Sequence, residues 1–326
     1  MRAIRCHALD GPEALVLEEV AAPEPAPGEV TVDVEAAALN FADTLMVRGT
    51  YQEKPALPFT PGMELAGRIR AVGKGVTGLA AGQRIMAVID HGAFAEVARV
   101  RARDAIVVPE AMPAEIAAAF PIAYGTAHGG LDWRADLQPG ETLLVNGDAG
   151  GVGLTAVEVG RAMGARVIAT ARGADRLGLA RQHGAEVVVD TAGEDPREAV
   201  MAATEGRGVD VVFDPVGGAL GEASLRCLAW EGRYLVIGFA GGVPAIQANR
   251  LLVKNIAAVG FYWGSYRRYA PERVRASFAT LLDWWAKGRL RPHVGAAFPL
   301  DKAVAALREL EARRSTGKVV LSVSRG

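Results

Sequence analysis

Polar and apolar positions change rhythm twice along the chain. From Met1 to about Ala119 the apolar runs are short and β-prone. Leu15 to Leu17 is one and Val30 to Val34, which alternates, is another. Pro23, Pro25, Pro27 and Gly28 separate them. Leu65 to Val72, Arg84 to Ile89 and Ala93 to Arg99 read as further strands, in a stretch whose glycines are too dense for long helices. The rhythm shifts near Pro113, where 114–120 and 123–131 become helix-prone. From Glu141 strand and helix alternate. Strands are predicted at 142–147, 166–171, 186–190, 209–214 and 233–239, with helices at 151–164, 174–183, 195–205 and 218–229. That alternation predicts a parallel sheet with helices on both faces. Asn255 to Trp263 is a sixth strand candidate.

The second shift follows Trp263. Pro271 opens a helix with Val274, Phe278, Leu281, Leu282 and Trp285 on one face. A strand at 294–298, a helix at 301–313 and a strand at 318–323 then return to the β-rich domain. The predicted boundaries are 1–120 plus 258–326 for that domain and 121–257 for the βα domain.

Composition narrows the class. The chain has 326 residues, enough for two domains, and its net charge of −1 favours neither nucleic acid nor an anionic membrane. Two cysteines, Cys6 and Cys227, exclude a disulfide framework and a four-cysteine zinc lobe. Met1 to Arg5 runs into a strand without the apolar core of a signal peptide, so a cytoplasmic protein is expected.

The strongest chemical signal lies between the first two βα-domain strands. Gly147-x-x-Gly150-x-x-Gly153, with Gly151 and Val152 inside it, joins a buried strand to a helix. Such a turn binds the pyrophosphate of a dinucleotide. Glycine lets the backbone approach the anion, and the first N–H groups of the helix face it. The second strand ends in Thr170-Ala171-Arg172-Gly173-Ala174-Asp175-Arg176, without the acid that holds the ribose 2′-OH of NAD. A guanidinium suits a 2′-phosphate, so NADPH is predicted, with Arg172 and Arg176 as contacts. The alternative is two solvated arginines at a helix start.

The whole chain resembles the medium-chain dehydrogenase/reductase superfamily. Within it the chain is most similar to the zinc-independent quinone oxidoreductases of the ζ-crystallin type. Four stretches carry the likeness: Ala38 to Asp43 with Gly49-Thr50-Tyr51 and Leu57 to Gly67; Ala123 to Ala127; the glycine turn; and Val236 to Phe239 through Asn255 and Gly260 to Gly264. The fold so implied is α/β, a Rossmann doubly wound parallel sheet inserted in a discontinuous, mostly β GroES-like domain. Zinc-dependent relatives carry cysteine or histidine near Asn40, Met63 and Phe120; amide, thioether and phenyl do not make a zinc site.

The resemblance implies hydride transfer from NADPH to a quinone or related conjugated carbonyl. It implies Asn40 and Asp43 beside the nicotinamide and its ribose, with Phe41 also at the cofactor, and Thr126 near the carboxamide. Gly238, Phe239, Ala240, Phe261 and Tyr262 would line the nicotinamide end, and Tyr51 would orient a carbonyl. Plainer roles stand beside these. Asn40 and Asp43 could cap a helix, Tyr51 could be packed, and Lys318 could reach either the cofactor or the surface. A threonine, Thr191, stands where many relatives carry a tyrosine near the adenosine phosphate. Two other functions compete: an NADPH-dependent alkene reductase, and a nucleotide-binding structural or RNA-binding protein. The expected partner is a second copy, forming a homodimer along Ile246 to Trp263.

Overall fold

A computed structural model describes residues 1–147 and 150–323. It divides into two compact units, Met1–Ile122 with Pro292–Gly326, and Ala123–Arg291. The α/β class and its two-part organisation therefore hold. The first boundary falls within two residues of the expected 120. The second moves from 258 to 291.

The first unit holds β1 (Arg2–Cys6), β2 (Leu15–Glu19), β3 (Glu29–Ala38), α1 (Phe41–Val47), β4 (Glu64–Val72), β5 (Arg84–Val88), β6 (Val97–Arg101), β7 (Ala105–Val107) and α2 (Ala114–Ala119). The chain leaves it through α3 (Pro121–Gly129). The second unit continues with β8 (Thr142–Asn146), α4 (Gly151–Ala162), β9 (Arg166–Ala171), α5 (Ala174–His183), β10 (Val187–Asp190), α6 (Pro196–Ala203), β11 (Val209–Asp214) and α7 (Gly218–Leu225). It ends with β12 (Leu228–Val236), α8 (Ala248–Lys254), β13 (Ala257–Gly260), α9 (Trp263–Tyr269) and α10 (Pro271–Ala286). The first unit is completed by β14 (Val294–Pro299), α11 (Ala303–Glu311) and β15 (Lys318–Ser322).

In the first unit the sheet runs β14-β15-β3-β4-β5-β7, with β6 also paired to β3. β15 lies antiparallel to β3, Val320 opposite Ala38, and β3 lies antiparallel to β4, Ala38 opposite Glu64. These registers bring the C-terminal end of β3 together with the first residues of β4 and β15. The core beneath is aliphatic and aromatic, with Leu39, Met46, Phe59, Leu65, Phe94 and Leu321 buried.

The second unit is a parallel sheet of order β10-β9-β8-β11-β12-β13. Thr142 to Asn146 of β8 are all buried, as a central strand covered on both faces requires. Helix signals match chemistry at both ends. Asp195 caps α6 by accepting from the Arg197 and Glu198 N–H groups at 2.8 and 3.0 Å, and Pro196 follows in the first turn. Gly184 ends α5 at φ 115°, a left-handed conformation that glycine adopts without strain.

Residues 258–291 stay with this unit for identifiable reasons. β13 extends the parallel sheet beside β12, Tyr234 opposite Ala258. The apolar stripe of α10 buries Val274, Phe278 and Leu281. Phe278 meets the Trp263 ring edge-on at 6.1 Å, and Ser277 Oγ lies 3.0 Å from His128 Nδ1. The sequence shows that α10 has an apolar face but not which core receives it. Residues 246–263 are also less extended than expected, since α8 and the first residue of α9 lie among them and only Ala257–Gly260 is strand. Ala248-Asn249-Arg250-Leu251-Leu252-Val253-Lys254 forms α8, closed by Asn255 at φ 54°.

Candidate active site

The strand order of the second unit reverses at β8, whose neighbours β9 and β11 continue the sheet in opposite directions. In such sheets ligands bind outside the carboxyl ends of the strands at this point. Gly147 leaves β8 at φ 63°, and a Cβ there would lie 2.6 Å from Val216 Cγ2. Gly150 caps α4 and donates its N–H to the Gly147 carbonyl at 3.1 Å. Gly151, Val152 and Gly153 form the first turn, which holds no acidic residue and, among the described residues, no side-chain cap. Asp148 and Ala149 lie outside the described residues. The backbone N–H groups of this turn fit an anion such as a pyrophosphate. Close helix–strand packing rests on a glycine the motif did not include. A Cβ on Gly160 would lie 2.4 Å from Leu143 Cδ2.

Two further loops leave the same ends of β11 and β12. Asp214, 1% exposed, accepts from the Val216 and Gly217 N–H groups at 2.8 and 3.0 Å, and from the Tyr234 hydroxyl. The turn so fixed interlocks with the loop carrying Gly238, Phe239 and Ala240. Gly241 N–H donates to Val216 O at 2.6 Å, and Gly218 N–H to Gly242 O at 2.8 Å. A Cβ on Gly217 would sit 2.3 Å from the Gly242 carbonyl oxygen. Phe239 is half exposed. Burial and the neighbouring Asp214 push the Tyr234 phenol up, so it stays a proton donor to that carboxylate.

Arg172 follows β9 in an exposed position, and Arg176 lies half-buried in the first turn of α5. Gly173 between them has φ 87°. Asp190 at the end of β10 accepts from the Gly173 and Ala192 N–H groups, which ties the two strand ends together. Thr191 donates to the Ala171 carbonyl at 3.1 Å.

Thr126 is buried on α3, beside Gly125, where a Cβ would lie 2.7 Å from the Trp263 ring. Tyr124 on the same helix donates to Glu158 of α4, whose other oxygen lies 2.7 Å from His183 Nδ1. Phe261 is buried and packs edge-on against Trp133 at 6.2 Å; Tyr262 is exposed.

In the first unit, three segments far apart in sequence meet around one side chain. Lys318 opens β15 and is 6% exposed. Its ammonium donates to Leu39 O at 2.8 Å, Asn40 Oδ1 at 2.8 Å and Glu64 Oε1 at 2.6 Å. All three donors are used, so Lys318 neither lies on the surface nor has an N–H to spare for a cofactor. Glu64, fully buried, also accepts from Asn40 Nδ2 at 2.9 Å and, on its other oxygen, from the Ile122 N–H at 2.9 Å. Asp43 accepts from the Asn40 backbone N–H at 2.7 Å, the half of a capping box that starts α1. The Asn40 side chain is committed to Lys318 and Glu64. Burial pushes the Asp43 carboxyl up to about 7, against the pull of its backbone hydrogen bond and of Lys318. Its Oδ1 is buried without a hydrogen bond of good geometry among the described residues.

The structure thus brings Asn40, Asp43 and Lys318 together and adds Glu64, which the motif reading passed over. A buried carboxylate needs a partner, but Lys318 stands 254 positions away. Phe41 is exposed at the head of α1. Tyr51 is 8% exposed, and its ring belongs to the core of the first unit.

These donors do not fit zinc. The Asn40 carbonyl oxygen is 2.8 Å from an ammonium, Met63 offers a thioether, and Phe120 is a buried ring. Among the described residues, no group of three or more His, Cys, Asp or Glu side chains could hold a metal ion.

A parallel sheet of this order with a glycine turn at its switch point, joined to a discontinuous β unit, defines a dinucleotide-dependent oxidoreductase of the medium-chain type. Residues 26–110 match the family profile "Alcohol dehydrogenase GroES-like domain", and residues 151–286 match "Zinc-binding dehydrogenase". The chain is 41% identical over 324 residues to "Quinone oxidoreductase-like protein 2" of Rattus norvegicus, covering 99% of this chain and 92% of that protein. The crystal structure of Escherichia coli quinone oxidoreductase complexed with NADPH is 31% identical, with a TM-score of 0.93, covering 99% of this chain and 100% of that one. The CurK enoyl reductase structure is 26% identical, with a TM-score of 0.90, over 99% of both chains. The chain belongs to the quinone oxidoreductase family of the medium-chain dehydrogenase/reductase superfamily.

Proposed function

We propose that the chain reduces a quinone, or a closely related conjugated carbonyl, with NADPH and without a metal. The observation that carries this reading is the network that fills the place of zinc ligands, Asn40 held between Lys318 and Glu64. With no Lewis acid to polarise an ordinary ketone, the acceptor must be electrophilic by itself, as a quinone is. NADPH supplies the hydride; with one proton it converts the quinone to a hydroquinone and leaves NADP⁺. The chain's own residues bind and orient. Gly147 to Gly153 would hold the pyrophosphate, and Arg172 and Arg176 the 2′-phosphate. Gly238 to Ala240 would border the nicotinamide; in the first unit, Asn40 would offer an amide N–H to the acceptor. The names of the relatives support the reading, and so does the NADPH bound in the Escherichia coli structure.

The test is NADPH oxidation with quinones, enones and enoyl thioesters side by side. Quinones are expected to give the highest kcat/KM. A roughly ten-fold preference for an enoyl thioester, about 1.4 kcal/mol of transition-state discrimination, would overturn the quinone assignment. The likeness to CurK enoyl reductase favours that second reading, since the same hydride chemistry serves a conjugated C=C. The proposal includes a cytoplasmic homodimer. Among the described residues β13 pairs only with β12, at the edge of its sheet, and Leu252 and Val253 of nearby α8 are 78% and 79% exposed. Light scattering that gave a monomer's mass would contradict it. No described helix is long and apolar enough to cross a membrane.

A further inference from the structure

The amide of Asn40 is held in one orientation by charge. Its carbonyl oxygen faces the Lys318 ammonium at 2.8 Å, and its Nδ2 faces the Glu64 carboxylate at 2.9 Å. Rotating the amide by half a turn would set N–H against ammonium and carbonyl against carboxylate. Both favourable contacts would become repulsive, in a setting where Lys318 is 6% exposed and Glu64 is fully buried. Glu64 and Lys318 are themselves fixed. Glu64 starts β4 opposite Ala38 and accepts from the Ile122 N–H. Lys318 starts β15 and donates to Leu39 O. One Nδ2–H of Asn40 is used on Glu64, and the other has no partner among the described residues on this half-buried side chain.

We propose that Glu64 is a positioning residue for the reduction: with Lys318 it locks the Asn40 carboxamide so that the second Nδ2–H is presented, already oriented, to the acceptor. This rests on the reading above that Asn40 serves the reaction. A donor fixed before the reaction stabilises developing negative charge without having to reorient, and a mobile amide would present oxygen or nitrogen indifferently. The buried ion pair is then more than a fastening of three strand ends. It supplies an orienting device in a site where no metal sets the direction of polarisation.

The test removes the pair together, as Glu64→Met with Lys318→Met, so that neither charge is left buried alone. Should that protein not fold, Glu64→Gln, which removes the charge but keeps a neutral acceptor, should move the Asn40 signals in the same direction by less. The chain has four asparagines, so ¹⁵N-asparagine labelling isolates the Asn40 side-chain amide, which the Asn40→Ala spectrum assigns. In the wild type its two protons should be well separated in shift and slow to exchange. In the pair variant they should approach free-amide shifts and exchange quickly. Unchanged Asn40 signals would overturn the proposal. In kinetics, the pair variant should lose roughly 10- to 100-fold in kcat while NADPH affinity moves by less than about three-fold. Combined with Asn40→Ala, it should add less than roughly two-fold, because both changes remove one function. Full additivity on an impaired Asn40→Ala background would overturn the positioning role alone. An Asn40→Ala enzyme with wild-type kcat would overturn the site reading itself.

Discussion

The nucleotide end of the second unit and the charged cluster of the first are built in opposite ways. The former is local. Gly147 and Gly150 to Gly153 lie within one short stretch of chain, and Arg172 and Arg176 follow the next strand. The latter is assembled from residues 40, 43, 64 and 318, which meet only because β15, β3 and β4 are neighbours in the sheet. A local site depends on backbone conformation and tolerates loss of single side chains. A site built on buried charge depends on every partner, since removing one strands another. The two regions should therefore break differently.

The largest effect is expected from Lys318→Met alone. It leaves Glu64 buried without its cation, at a cost of about 3–5 kcal/mol in urea unfolding, whereas Glu64→Met with Lys318→Met should lose much less. Equal losses for the single and the paired variant would show that the charges are not coupled. Next comes Gly217→Ala. Its φ of 70° and the 2.3 Å approach to the Gly242 carbonyl oxygen require the two interlocked loops to part. A destabilisation of about 1–3 kcal/mol and weakened NADPH binding should follow. Wild-type affinity would mean the loop does not border the cofactor.

A smaller effect sharpens the burial of the first cluster. Asp43 holds its proton in the folded chain up to about pH 7, against 3.8 for the ordinary carboxyl. Between those values the folded state binds more protons than the unfolded state. The stability this contributes is complete below the unfolded pKa and is lost as pH rises through about 7. The melting temperature of Asp43→Asn should accordingly fall less than that of the wild type between about pH 5 and pH 8. Parallel curves would show that Asp43 is ionised throughout.

The same contrast explains what the sequence could disclose. The βα period, the glycine turn and the arginines are readable because each is a pattern within a few tens of residues. Strands at 142–146, 166–171 and 209–214 fall where periodicity placed them. The role of Glu64 was hidden, because a buried carboxylate in Met63-Glu64-Leu65 names no partner until the sheet brings β15 beside β3. Lys318 was ambiguous for the same reason. The burial of Tyr51 was left open, because a loop tyrosine looks alike whether its ring is packed or open. Which core receives α10 was not legible, because an amphipathic helix announces an apolar face without saying against what it packs. Gly160 escaped notice because it lies outside the motif, although its missing Cβ is what lets α4 approach β8.

The cofactor assignment underlies every functional statement, and one titration tests it directly. Dissociation constants for NADPH and NADH should be measured on the wild type and on Arg172→Ala with Arg176→Ala. The wild type should hold NADPH roughly ten-fold or more tighter, as charge-assisted hydrogen bonds to a 2′-phosphate imply, and the double variant should lose that preference while keeping its NADH affinity. Equal binding of the two nucleotides by the wild type, or equal loss of both in the variant, would contradict the account.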